Sequence, residues 1–596
     1  MKQKKRSEID VCDTWDLSLI FKNNEEFEKA LKDAKEKIYE IKKYEGRILE
    51  SSKSLLTFLE LTDDIERKLY KLYYYAHLNL DVDTTNTFYQ EMEGRVTNLL
   101  QEENILSSFV LPELLKGDYN RVLGYIDEED GLKKYRFNLE CVYRYQGHSL
   151  SEESEKLLST LSKSFIASET FEALTDSDMT FGELIVDDEE TELTESNYNT
   201  FIRHPNRDVR LEVFNRLLGT YGEYKNTLAK TFSGNVELLT SMAKLKNFKS
   251  SLEASLYADN ISPDVYNKLV DTVNSHLDVL YKYYALKKEM LGYDELHLYD
   301  IYVPIVSDMG KKYTFDEAKN TVIKALSVLG EDYIKNLSRA FSERWIDKYN
   351  NKGKRGGAYS SGFYDTKPYL LLNFEGKYED VTTLAHELGH SMHTFYSCSN
   401  EPYNLSSYNI FVAEVASTVN ELLLVHYLLK NTNDKKEKLF LLNQLMELYK
   451  GTIYRQVMFA EFERDMHADL ENGIILTNEY LSSKYYDIVK KYFGNDVIVD
   501  ELIKNEWMRI PHFYYDFYVY KYAIGLSCAT KIVDGILNGE EHALENYLSF
   551  LKTGGSMHPA DELKVAGVDI YSSDVYETAI RKFNEYIDSF REISKE

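Results

Sequence analysis

Residues 382–394, TTLAHELGHSMHT, constrain this chain more than any other stretch. Within them, His386-Glu387-Leu388-Gly389-His390 sets two histidines four residues apart. On an α-helix that spacing returns to nearly the same face, because a turn takes about 3.6 residues. Two ring nitrogens can then close on one metal ion, and Glu387 between them can reach a water on that ion. Five residues can match such a pattern by chance. The remaining chain therefore has to supply what metal-assisted hydrolysis needs.

With 596 residues the chain is long enough for more than one core. Only 8 prolines and 28 glycines argue for many long helices and against short-stranded β architecture. Tyrosine is plentiful at 49 residues, which suits either an ordinary core or the walls of a wet channel. A net charge of −28 makes nucleic acid or an anionic membrane an unsuitable partner. Cys12, Cys141, Cys398 and Cys528 form no C-x-x-C pair and read as free thiols of a reducing compartment. The basic N-terminus lacks the apolar core of a secretory signal, and no run approaches the roughly 18 apolar residues of a membrane span. A cytoplasmic protein is expected.

Helical periodicity begins early. Phe27, Ala30, Leu31, Ala34, Ile38 and Ile41 form one apolar stripe behind the polar start Asn23-Asn24. Similar patterns over residues 55–80, 88–109 and 151–174 predict a helical N-terminal domain. Residues 181–186 and 191–194 flank the acidic turn 187–190 and predict a hairpin. A boundary near there gives an N-terminal helical domain, 1–195, and a catalytic domain, 196–596. Residues 351–357, NKGKRGG, predict a flexible basic loop that does not match a phosphate-binding loop. Pro368 opens a short strand over 368–374, either an edge that could pair with an extended peptide or a strand buried in a small sheet. Asp380 is the expected N-cap of the histidine helix.

A catalytic zinc site usually has three protein ligands and an open position. His393 shares the helix face, but it lies seven residues from His386, about 10 Å along the axis. Ligands stand about 2 Å from one ion, so His393 is expected to be a neighbour of the site or to face substrate. The metzincin pattern fails as well, since Tyr396 stands where its third histidine would be. The apolar helix after residue 411 carries Glu414 and Glu421 on one face. An unpaired carboxylate there is costly if buried, and a metal would account for it. Glu414 is the expected third ligand. His426, His467 and His558 have no spacing partner and read as structural.

AHELGHSMH, followed 24 residues after His390 by Glu414 within FVAEVASTVNE, resembles the oligoendopeptidase F branch of the thimet oligopeptidase family. TWDLSLIF, KRGGAYSSGFYDTKPYLLLNFEG, RQVMFAEFE and IPHFYYDFYVYKYA are similar to that branch in the same order. The resemblance implies one zinc ion per chain held by His386, His390 and Glu414, with Glu387 as general base. It also implies a mainly α, two-lobed fold around a deep substrate channel, with short peptides cleaved inside, and the short strand over 368–374 puts a small β-sheet next to the zinc-binding helix. By residue type and order it makes His512, Tyr515 and Tyr522 the groups that contact substrate and its oxyanion. Thimet-type relatives carry glycines in that loop, whereas the first glycine here is Gly525. The expected activity is zinc endopeptidase action on short oligopeptides. The alternatives are a zinc dipeptidyl carboxypeptidase and a non-catalytic helical peptide-binding scaffold.

Overall fold

The computed structural model describes residues 3–307 and 309–596. It is mainly α-helical with three small sheets. Two compact units interleave along the chain. One comprises Met1–Ser149, Gly310–Tyr427 and Ile532–Gly567; the other comprises Leu150–Met309, Leu428–Lys531 and Val568–Glu596. The sequence division at 195/196 cuts the chain once, whereas packing returns each unit to a segment far along the chain.

In the first unit the early stripe forms helix α1 (Asn24–Lys37), capped by Asn23, whose side chain accepts the Glu26 amide. Phe27 and Ala34 are buried on it, and the stripe continues as Ile38 and Ile41 on a tighter 3-10 turn. Helices α2 (Ser52–Asp81) and α3 (Thr87–Leu106) close over the same core. In the second unit, the helix expected over 151–174 is broken into Glu152–Leu161 and Ala167–Glu172, the latter running into a π-turn.

Strands β1 (Glu183–Val186) and β2 (Glu189–Glu192) make the expected hairpin with a tighter turn. Asp187 and Asp188 alone form it, with φ of 52° and 67°. That left-handed pair matches the twist of the flanking strands. Strand β3 (Leu296–His297) pairs in parallel with β7 (Val497–Ile498), while β4 (Ile346–Asp347), β5 (Tyr359–Ser361) and β6 (Tyr369–Leu371) form a sheet in the order β4-β6-β5. The strand after Pro368 is therefore central and fully buried, and the edges of the sheet are β4 and β5.

The basic loop 351–357 is pinned, not flexible. Lys354 is buried, and its ammonium donates to Asp347 Oδ1 at 2.7 Å and to the carbonyls of Tyr349 and Leu372 at 2.8 and 2.6 Å. Asn351 is buried too and donates to the Val82 carbonyl. Lys354 and Arg355, the latter paired with Asp81 at 3.0 Å, are structural cross-links, a role that composition alone hides. One helix among the described residues, Ile410–Asn431, is long and apolar enough to cross a membrane. Most of its apolar window is buried against protein, as in a core helix.

Candidate metal centre

Helix α4 (Tyr378–Asn400) carries the histidine motif. Asp380 is its third residue rather than its N-cap, and its carboxylate reaches back to the amides of Lys377 and Glu375 at 2.8 and 2.9 Å. An acid there still satisfies exposed amides and complements the helix dipole. Helix α5 (Ile410–Asn431) passes close beside α4. Gly389 makes this approach possible: a Cβ there would lie 2.5 Å from Ser417 Cα and 2.7 Å from the Ala416 carbonyl. Asn420 fixes the crossing by donating to the Ala385 carbonyl at 3.0 Å while accepting from the Tyr333 hydroxyl at 3.1 Å.

The crossing brings three donor atoms into a triangle. His386 Nε2 and His390 Nε2 are 3.1 Å apart, and Glu414 Oε2 lies 3.4 and 3.5 Å from them. Around a tetrahedral zinc with bonds of roughly 2.0–2.1 Å, ligand atoms stand about 3.3–3.4 Å from one another. The donor set and the spacing both fit zinc. Among the described residues this is the one group of three or more His, Cys, Asp or Glu side chains gathered closely enough to hold a metal.

The surrounding groups aim these donors. Glu421 Oε1 is 3.1 Å from His386 Nδ1. A proton shared there leaves the Nε2 lone pair facing the triangle, as carboxylate partners of metal-ligating histidines do. The sequence set Glu421 on the face of Glu414 without assigning this role; its seven-residue offset from Glu414 was the available signal. Ser417 Oγ donates to Glu414 Oε2 at 3.1 Å. Burial favours neutral His386, but Glu421, Glu387 and Glu414 together outweigh it and push its pKa up to about 9. The hydrogen bond with His390 is the largest effect on Glu414, and against burial it holds that carboxyl down at about 2. The pocket is built to accumulate positive charge, and a bound cation would displace the imidazole protons.

Glu387 is buried beside this triangle. Burial raises its pKa, opposed by His386 and His390 and by a hydrogen bond from the Ser360 amide on β5. Ser391 Oγ, bonded to the Glu387 carbonyl, also meets Ser360 Oγ at 2.8 Å. His393 is closed off from solvent. It is fully buried, stacked on Tyr408 at 3.7 Å between ring centroids, and burial pulls its pKa down to about 3.

His512, Tyr515 and Tyr522 belong to the second unit. A 3-10 turn over Pro511–Tyr514 leads through an irregular stretch to helix α7 (Tyr520–Asn538). The His512 ring lies 5.6 Å from Tyr515 and 6.0 Å from Tyr522 between centroids, and the Tyr522 hydroxyl is 3.5 Å from His512 Nε2. Burial lowers the His512 pKa and favours the neutral ring. Tyr515 is exposed. Tyr514 turns inward, where its hydroxyl meets Thr231 Oγ1 at 2.9 Å and its ring stacks on Phe171. His467 is buried, with Nδ1 2.9 Å from Ser251 Oγ.

Known proteins match this chain over most of its length. Residues 200–582 fit the family model of peptidase family M3, and residues 113–181 fit that of oligopeptidase F. The chain is 42% identical to oligopeptidase PepF of Bacillus subtilis, covering 99% of this chain and 88% of that one. It is 39% identical to group B oligopeptidase PepB of Streptococcus agalactiae, covering 97% of each. The crystal structure of oligoendopeptidase-F from Enterococcus faecium superposes with a TM-score of 0.74 at 32% identity, covering 96% of this chain and 99% of that one. A structure from Chlamydophila abortus reaches a TM-score of 0.93 at 35% identity, covering 99% and 100%. With the model matched across residues 200–582 and full-length relatives near 40% identity, the chain belongs to peptidase family M3, in its oligopeptidase F group.

Proposed function

We propose that this metallopeptidase cleaves internal bonds of short oligopeptides, using one zinc ion per chain held by His386, His390 and Glu414. The observation that carries the reading is the triangle of donor atoms, 3.1, 3.4 and 3.5 Å on its sides. When bound, zinc polarises the scissile carbonyl and lowers the pKa of water in its open position towards about 7.

The chain's own residues do the rest. Glu387 takes the proton of the attacking water and passes it to the departing amine nitrogen. Glu421 holds the His386 ring in the tautomer that presents Nε2. His512, Tyr515 and Tyr522 donate hydrogen bonds to substrate and to the developing oxyanion. That assignment rests on residue type and order. As a division of the sequence, residues 196–596 carry the proposed catalytic side chains and 1–195 are the N-terminal helical part. Cleavage proceeds inside a closed channel, which limits substrates to short peptides, and the enzyme works in the cytoplasm without nucleic acid or membrane partners.

The deciding test is Glu387→Gln assayed with a fluorogenic peptide of about ten residues, with metal content measured alongside. Retained zinc with abolished hydrolysis is expected. Near-normal turnover would sink the mechanism. Products from one free peptide and its C-terminally amidated form separate internal cleavage from dipeptide removal, since only the latter should be hindered by amidation.

A further inference from the structure

The irregular stretch between His512 and Tyr522 holds a backbone conformation its sequence does not favour. Asp516 and Phe517 are consecutive left-handed residues, with φ of 50° and 56°. Both carry a Cβ, which crowds the following carbonyl in that region, and bulky side chains seldom occupy it without support. Hence something outside the stretch has to hold the turn.

Helix α6 (Arg455–Glu471) supplies that support. Glu463 on it is fully buried, and its Oε1 accepts the Phe517 amide at 2.8 Å. Its Oε2 finds no hydrogen-bond partner among the described residues. One turn further along α6, the His467 ring lies 4.4 Å from the Phe517 ring, and Tyr266 meets that ring edge-on at 5.9 Å. From the other side Ser255 Oγ donates to the Asp516 carbonyl at 2.8 Å. Burial pushes the Glu463 pKa up to about 8, which favours the protonated carboxyl. A buried carboxyl with one oxygen unpaired is costly, whereas an apolar side chain there would leave the Phe517 amide without an acceptor.

We propose that Glu463 is a positioning residue: by accepting the Phe517 amide it locks the left-handed Asp516-Phe517 turn and so sets His512 and Tyr515 on one side against Tyr518 and Tyr522 on the other. The proposal rests on the reading above that this aromatic segment acts on substrate. It gives the hydroxyl of Tyr522 and the ring of His512 a fixed relation without any glycine in the loop.

The test uses the zinc-loaded full-length enzyme and three variants. Glu463→Gln keeps an acceptor for the Phe517 amide and should stay within about threefold of wild-type kcat. Glu463→Leu removes it and should lower kcat by about tenfold or more, with KM and zinc content nearly unchanged. Hydrogen exchange over 512–522 should accelerate in Glu463→Leu. Adding Asp516→Gly to Glu463→Leu should recover much of kcat, because glycine adopts that φ freely; a plain packing defect would not be rescued. Unchanged exchange over 512–522 in Glu463→Leu overturns the proposal, whatever the kinetics. Faster exchange with unchanged kcat supports the positioning role and instead sinks the catalytic reading of the segment. Should Glu463→Leu fail to fold, the wild-type Phe517 amide decides: strong protection supports the proposal, and exchange at the free-peptide rate overturns it.

Discussion

The metal centre and the aromatic segment 511–522 solve the same problem, holding side chains in a fixed relation, by opposite means. In the metal centre the helical repeat aligns His386 with His390, and one missing Cβ at Gly389 lets α5 approach with Glu414. In the aromatic segment no repeat helps. A turn with φ of 50° and 56° does the placing, held by a carboxyl from another helix. A site built on helices is specified by spacing, whereas a site built on a strained loop is specified by whatever pays for the strain.

Mutagenesis tests that contrast directly. The largest effect is expected from Glu387→Gln, about 10²–10⁴-fold in kcat with zinc retained, read by peptide hydrolysis beside metal analysis. Next comes Gly389→Ala, whose methyl would sit 2.5 Å from Ser417 Cα. Forcing α4 from α5 should cost about 1–3 kcal/mol or more and weaken zinc binding, read by thermal unfolding with and without a chelator. A fully stable, zinc-replete variant would remove Gly389 from the account. Glu421→Ala should weaken zinc affinity about 10–100-fold, read by competition with a chromogenic chelator.

Within the aromatic segment the prediction is a split. Tyr522→Phe should lower kcat by about tenfold or more. Tyr514→Phe, which loses only its contact with Thr231, should cost about 1 kcal/mol of stability and leave kcat nearly unchanged. Equal effects of the two would dissolve the distinction between the tyrosine beside His512 and the one packed on Phe171.

The smallest expected effect is a pH dependence of stability. Glu562 is buried with neither oxygen partnered among the described residues, and burial raises its pKa from about 4.5 to about 8. The folded protein then holds a proton that the unfolded chain has released, so this group's stability contribution falls as pH rises from about 4.5 to about 8. Glu562→Gln should flatten the wild-type decline of Tm across that window. An unchanged slope would place the titration elsewhere.

What the sequence alone determined follows from local periodicity. The pair His386 and His390, Glu387 between them, the shared face of Glu414 and Glu421 and the hairpin over 183–192 are all short-range statements, since 3.6 residues per turn and two per strand repeat are properties of the backbone itself. For Glu414 the sequence argument assumed a buried carboxylate, whereas its side chain is half exposed and only its position beside His386 and His390 brings it to the triangle. Tertiary structure decided what depends on neighbours distant in sequence. It made the strand after Pro368 central by pairing it with both β4 and β5, and it turned Lys354 from a mobile loop charge into a buried cross-link to Asp347. It buried His393 against Tyr408, and gave Glu421 its histidine. It also set Glu463 under Phe517, 54 residues away along the chain. Hydrogen bonds and close packing act over about 3–4 Å, and only the folded chain decides which residues come that near.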